Sequence, residues 1–296
     1  MMTNTVSRRT LLGLIAATPF AARAAGVTPQ PVQTILGDGA GREIPLYIWR
    51  GLHGGRAGTI AFSHGALSAP WKYPAMMTRW TAAGFDVMAP LHVDSTDHPH
   101  RTDYKGMAGW VARIEDMRAV SRHIGRPYIA VGHSFGALSA LVLGGVSAAR
   151  PEGITGPFRD PLAMRVVAFS PPQPIAPLID AAGYATLETP ALILTGTRDI
   201  PPGMSGDAGW HAHLTAYDAA APGGHRYAAV LDGVDHYYGG AICDFTKPGP
   251  PQPEALGQAL DLSLLFMTAR QHRDRADFRR LDARLSENGP VRLRSK

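Results

Sequence analysis

The chain has 296 residues, 45% of them hydrophobic and 18% charged, enough apolar material for one globular α/β domain with a sizeable core. Its net charge of +5 does not mark a nucleic-acid binder, because Arg270 to Lys296 alone holds nine Lys or Arg against four Asp or Glu and the rest of the chain is balanced. A single cysteine, Cys243, excludes an intramolecular disulfide.

The first segment, residues 1–24, stands apart from the domain. Ser7-Arg8-Arg9-Thr10-Leu11-Leu12 is a twin-arginine pattern, followed by an apolar stretch from Leu11 to Phe20 and a small-residue site at Ala22-Arg23-Ala24. The apolar run is too short to span a membrane, so the order of basic, apolar and small residues reads as an export signal. The expectation is a protein handed folded to the twin-arginine machinery, cleaved near Ala25, and periplasmic or secreted.

From there the chain alternates short apolar runs with helical segments. Gln33 to Leu36 and Ile44 to Trp49, separated by Gly37-Asp38-Gly39-Ala40-Gly41, predict an antiparallel hairpin. Strands are expected at Thr59 to Ser63 and Phe85 to Leu91, and helices at Pro74 to Ala83 and Met107 to Ile124. Further strands follow at Met164 to Ser170, Ala191 to Thr195 and Tyr227 to Leu231. Such alternation implies parallel pairing through βαβ crossovers, hence a mostly parallel central sheet with helices on both faces. In such sheets the ligand sits at the carboxyl ends of the strands. Ser147 to Pro161 is too short and polar for a large helical cap, and Gly239 to Pro253 is a second Gly- and Pro-rich loop. The domain is expected to run over 25–270. The basic tail, 271–296, carries Phe278, Leu281 and Leu285 at helical spacing, which predicts a helix docked by one apolar stripe.

Tyr128 to Ala140 organises the rest. Tyr128-Ile129-Ala130-Val131 drives into Gly132-His133-Ser134-Phe135-Gly136, and a run rich in Ala and Leu leaves on the other side. Strand, sharp turn and helix with serine at the apex is a nucleophile elbow: the turn brings strand and helix too close for Cβ atoms at the flanking positions and exposes the serine Oγ. The alternative is a Gly-rich βα turn with an incidental serine.

Together with Phe62-Ser63-His64-Gly65-Ala66, the stretch Gly132 to Ala137 resembles the α/β-hydrolases. Within them it resembles the serine esterases of the dienelactone-hydrolase-like and platelet-activating-factor-acetylhydrolase-like branch. The likeness runs from about Thr59 to Arg270. It implies an α/β-hydrolase fold without a large cap domain, and a serine esterase needing no cofactor. Dienelactone hydrolases use a cysteine where this chain has Ser134, so their substrate does not carry over.

Serine is a poor nucleophile until a base takes its proton, and the base needs an acid to fix its tautomer. In this fold the order is Ser, then Asp or Glu, then His. Asp199, in Thr195-Gly196-Thr197-Arg198-Asp199-Ile200-Pro201, resembles the family's strand-end acid, with Asp207 its nearest rival. His236 follows the last strand, whereas His225 precedes it and His211 and His213 fall in a helical segment. Asp232 and Asp235 lie too near His236 in sequence to be its acid. The triad is therefore expected to be Ser134, Asp199 and His236. Phe62 to Ala66 resembles the H-G-x element, which implies an oxyanion hole from the Ala66 and Phe135 N–H groups, with His64 bracing the loop.

Other readings stay open. The same triad can transfer an acyl group or cleave an amide, and a silent binding protein can keep the fold. Asp94, Asp97, His98 and His100, with His92 nearby, form a cluster that could suggest a metal, although neither zinc-type spacing nor a calcium-loop glycine pattern is present. Trp71, Tyr73 and Trp210 are candidates for an acyl or aryl pocket, or for packing. Cys243 has no elbow around it and reads as a free loop thiol. The expected reaction is hydrolysis of a small carboxylic ester with no metal.

Overall fold

The computed structural model describes residues 30–296 except 40, 153, 201–208, 248 and 273–274. The twin-arginine segment and Asp207 therefore lie outside the described residues. Nine strands form one sheet. In chain order they begin with β1 (Val32–Gly37), β2 (Glu43–Trp49), β3 (Gly58–Ser63), β4 (Phe85–Pro90) and β5 (Tyr128–His133). They continue with β6 (Ala163–Phe169), β7 (Ala191–Gly196) and β8 (Arg226–Leu231); a small hairpin of β9 (Arg270–His272) and β10 (Arg275–Asp277) precedes β11 (Val291–Ser295). The spatial order is β1-β2-β4-β3-β5-β6-β7-β8-β11. From β4 to β8 all pairs are parallel; β1–β2, β2–β4 and β8–β11 are antiparallel.

Parallel strands covered on both faces read as continuous apolar runs, and side-chain alternation then sorts them. In β5, Tyr128 and Ala130 enter one core and Ile129 and Val131 the other; in β7, Ala191 and Ile193 part from Leu192 and Leu194 in the same way. The first core is closed by the helices Met107–Ile124 and Phe135–Leu143, the second by Pro74–Ala82 and Pro253–Met267. Met107–Ile124 buries Trp110, Ile114, Met117 and Ile124 at helical spacing and ends at Gly125, whose φ of 61° only glycine adopts without strain. It also buries Arg113 and Asp116 completely, which an amphipathic pattern does not foretell.

The loop from Ser147 to Pro161 holds no helix among its described residues, and the connection from β6 to β7 holds one of five residues, Ala181–Ala185. This is a fold without a large cap. No helix among the described residues is long and apolar enough to cross a membrane.

The C-terminal tail departs from the expected helix. Among its described residues only Arg279–Asp282 is helical; Phe278 and Leu281 are buried as the stripe predicts, but Leu285 is exposed. The chain then turns at Gly289 and runs back along β8 as β11. Alternation from Val291 to Ser295 is the period of a strand, and pairing with the free edge of β8 satisfies backbone groups that a surface helix would leave to water. Arg292 lies over Trp210, while Arg294 and Lys296 lie over Tyr217, so the basic side chains cover aromatic surface. The tail is part of the sheet, not a separate appendage.

Candidate active site

β5 ends in the sharp turn that the sequence predicts. Ser134 has φ 55° and ψ −124°, and its neighbour Phe135 opens the helix Phe135–Leu143. A non-glycine residue held in this region costs about 1–3 kcal/mol, a strain the surrounding structure must over-determine. It does so by close approach: a Cβ at Gly132 would meet the Gly136 carbonyl, and one at Gly136 the Ser63 carbonyl. The Ser134 N–H is held by the Phe169 carbonyl at 2.8 Å, and Ser134 itself stays partly exposed.

Asp199 and His236 come together as expected. Asp199, beyond the end of β7, is completely buried, and its Oδ1 lies 2.7 Å from Nδ1 of His236, beyond the end of β8. Its Oδ2 accepts from the Thr195 hydroxyl at 2.8 Å. Burial alone would raise the Asp199 carboxyl; the contacts with His236 and His213 outweigh it and hold the group well below the usual range.

His133 joins this pair to the elbow. Its Nε2–H donates to the His236 carbonyl at 2.9 Å, and its Nδ1 accepts from the Tyr73 hydroxyl at 3.1 Å, whose oxygen in turn accepts the Gly65 N–H at 2.9 Å. Burial depresses His133 to about 3, so it is the neutral ring this chain of bonds needs. Three separate loops, at Gly65, Ser134 and His236, are thereby fixed to one another.

The loop after β3 is braced from behind. His64 is fully buried; its Nε2 accepts from the His92 N–H at 3.0 Å and its Nδ1–H donates to the Gly65 carbonyl at 2.8 Å, with burial holding the ring neutral. This is the bracing role that the H-G-A resemblance implies. Arg113 donates to the His64 and Gly65 carbonyls at 2.8 and 3.2 Å and pairs with both oxygens of Asp94 at 2.9 Å. Among the described residues, no loop, turn or cap hydrogen bond uses the Ala66 or the Phe135 N–H.

Beneath the loop lies a second serine–histidine–aspartate set. Ser63 Oγ is 2.8 Å from His92 Nε2, His92 Nδ1 is 2.7 Å from Asp116 Oδ2, and Asp116 Oδ1 is 2.6 Å from Arg42. Ser63, His92 and Asp116 are all sealed from solvent.

The remaining candidates fall elsewhere. The residues of 92–100 go to separate partners: His92 to Asp116, Asp94 to Arg113, and Asp97 to Lys72 at 3.2 Å. Among the described residues the cluster with metal-type ligand atoms is instead Asp199, His213 and His236, within 4.8 Å of one another. Two of these residues, Asp199 and His236, are already hydrogen-bonded to each other, and the carboxylate is hydrogen-bonded through both oxygens. Asp235 accepts from the Tyr237 and Gly239 N–H groups, and Asp232 from the Thr197 hydroxyl, so both shape loops. His225 packs on Phe278 and His211 stacks on Trp210. Trp210 and Tyr73 are buried, whereas Trp71 is partly exposed and edges against Tyr47. Cys243 is free and buried.

The sequence offers His213 only as a rival for the base, not as a partner of Asp199. In the 3-10 segment Gly209–Leu214, its Nε2 sits 2.9 Å from the same Asp199 oxygen that faces His236. Its sequence neighbours give no signal, since the contact closes a 14-residue stretch of the single connection between β7 and β8, which runs out past Asp199 and folds back onto it.

No protein-family model matches the chain, and no curated protein matches it by sequence. Solved structures do match. Thermogutta terrifontis esterase 2, phosphoramylated by tabun, superposes with a TM-score of 0.59 at 16% identity, over 83% of this chain and 96% of that one. The propionate-bound form of the same esterase gives 0.58 at 16%, over 81% and 94%. A puromycin-hydrolyzing peptidase from Mycobacterium tuberculosis gives 0.57 at 14%, over 83% of this chain and 40% of that one. With the sheet order and elbow described above, this likeness shows that the chain has the α/β-hydrolase fold.

Proposed function

We propose that the protein is a serine hydrolase acting on carboxylic esters. The observation that carries this is the strained, partly exposed Ser134 on a turn whose preceding residue, His133, is hydrogen-bonded to the loop that holds the Asp199–His236 pair. Ser134 Oγ attacks the ester carbonyl while His236 Nε2 takes its proton. Asp199 fixes the Nδ1–H tautomer of His236 and stabilises the imidazolium. The carbonyl oxygen, now an anion, is met by the Ala66 and Phe135 N–H groups, the latter at a helix N-terminus where the backbone dipole favours negative charge. His236 returns the proton to the leaving alcohol, and water then releases the acyl group by the same cycle.

The fold neighbour that reacts with organophosphates and binds propionate is named an esterase, which supports this reading. The peptidase neighbour favours amide hydrolysis as a second reading on the same triad. The finer affiliation is with the dienelactone-hydrolase-like and platelet-activating-factor-acetylhydrolase-like branch, on the H-G-A and G-H-S-F-G stretches. The lack of a large cap leaves the site open and favours short or soluble esters; a panel of nitrophenyl esters showing strong preference for long acyl chains would remove that part. Residues 1–24 assign the working place to the periplasm or beyond, which a reporter fusion in a strain lacking the twin-arginine machinery tests.

The central experiment is labelling of the mature protein with a fluorophosphonate probe beside the Ser134→Ala variant, read by peptide mass spectrometry. Labelling at Ser134 in the parent alone is expected. Folded parent protein that resists the probe would make the chain a binding protein on a hydrolase fold.

A further inference from the structure

Asp199 Oδ1 faces two histidines, His236 Nδ1 at 2.7 Å and His213 Nε2 at 2.9 Å, and the two rings lie nearly parallel with centroids 5.7 Å apart. The other nitrogen of His213, Nδ1, lies 2.6 Å from the Pro171 carbonyl. The ring is only 2% exposed. A neutral imidazole has one N–H and one lone pair. With the proton on Nδ1, the lone pair of Nε2 points toward the carboxylate side; with the proton on Nε2, the lone pair of Nδ1 meets a carbonyl oxygen at 2.6 Å. Only the doubly protonated ring offers hydrogen to both oxygens.

We propose that His213 is a positioning residue, held as an imidazolium against Asp199, that sets the basicity of His236. The proposal rests on the reading of Ser134, His236 and Asp199 as the triad. The ion pair with Asp199 raises the proton affinity of His213 although burial opposes it. Around it, β7 leads to Asp199, the loop after β8 supplies His236, β5 supplies the neutral His133 behind it, and the segment after β6 supplies only the Pro171 carbonyl. His213 Nε2 meets Asp199 as an ion pair and not as a directed hydrogen bond, whereas His236 Nδ1 is hydrogen-bonded to the same oxygen, so His236 keeps its orientation.

The chemical consequence lies in the attack step. When the Ser134 O–H bond breaks and an N–H bond forms on His236, two imidazolium rings share a single carboxylate. His213 therefore opposes the new charge on His236 as one cation opposes another beside it.

The test is the pH dependence of kcat/KM for the parent and His213→Gln, with His213→Phe as a second uncharged variant. The acid limb is expected to move up by about one pH unit in both variants, the size of a like-charge effect between adjacent groups. A lower plateau with an unmoved limb means packing alone and overturns the proposal. An independent readout uses ¹⁵N-histidine NMR of the Ser134→Ala protein at neutral pH, with the His213 signals assigned by their loss in His213→Gln. Both His213 ring nitrogens are expected to show the protonated pattern, and the His236 titration in the same spectra should move with the substitution. A neutral His213 tautomer overturns the proposal whatever the activity, while failure of Ser134 to react with fluorophosphonate removes the triad reading and leaves the NMR result standing.

Discussion

Ser134, His236 and Asp199 use the same residue types as Ser63, His92 and Asp116, and the histidine-to-aspartate distance is 2.7 Å in each set. What differs is the setting. Ser134 sits at φ 55° on a turn, partly exposed, beside a helix N-terminus; Ser63 ends a regular strand, is sealed from solvent, and has Arg113 3.3 Å from its hydroxyl. The interior set is closed to solvent, and its neighbours His64 and Arg113 are hydrogen-bonded to it and to the loop that carries Gly65 and Ala66, so its hydrogen bonds hold that loop. The three residue types and their contacts do not make a triad; exposure of the nucleophile and donors aimed at a developing charge do.

The sharpest way to break this comparison is to truncate the two serines in parallel. Ser134→Ala should lower ester hydrolysis by about 10⁴-fold or more, whereas Ser63→Ala should keep activity within about tenfold and cost stability of about 1–2 kcal/mol for a buried hydrogen bond. Steady-state kinetics and urea unfolding read the two effects, and equal losses of activity would erase the distinction drawn here. The acids come next. Asp199→Asn should lower kcat by about 10³- to 10⁴-fold with the fold intact. Asp116→Ala should instead destabilise by about 1–3 kcal/mol, because it leaves His92 Nδ1 without its partner in the interior, while Arg42 keeps Asp38 and Glu115. Thermal unfolding followed alongside activity separates these outcomes.

Tyr73→Phe is a smaller perturbation that touches the link between the sets. It leaves the Gly65 N–H and His133 Nδ1 without their partner and should cost about 1–3 kcal/mol of stability. A drop in kcat with KM unchanged would place that link in the transition state rather than in substrate binding. The gentlest probe is pH. The folded Asp199 carboxyl lies below its unfolded value of about 4, so its contribution is present above that pH and is lost as pH falls through the folded value. Urea unfolding between pH 6 and about 2 should show stability falling with pH, and less steeply in Asp199→Asn.

Much of the fold was legible because its signals are local. Apolar runs of strand length, glycines around Ser134 and helical spacing from Met107 to Ile124 report conformations that neighbouring residues impose on one another. The strand ends at which the sequence places Asp199 and His236 are ones the structure brings together, at 2.7 Å. The tail was misread because Phe278, Leu281 and Leu285 fit a helical period over too few turns, while the open edge of β8 offered pairing that no local pattern records.

His213, Tyr73, Arg113 and Asp116 mark the boundary of what the sequence by itself could determine. Each is polar, each is buried, and each owes its role to a partner far away along the chain: Asp199 lies 14 residues from His213, and Gly65 and Ser63 lie about 50 from Arg113. A hydrogen bond or ion pair in a low-dielectric interior is decided by which groups the packed sheet brings within 3 Å, and residue order does not encode that distance. The sequence determined the strands, the elbow and the chemistry that Ser134 can attempt; the tertiary structure decided which charges stand around it.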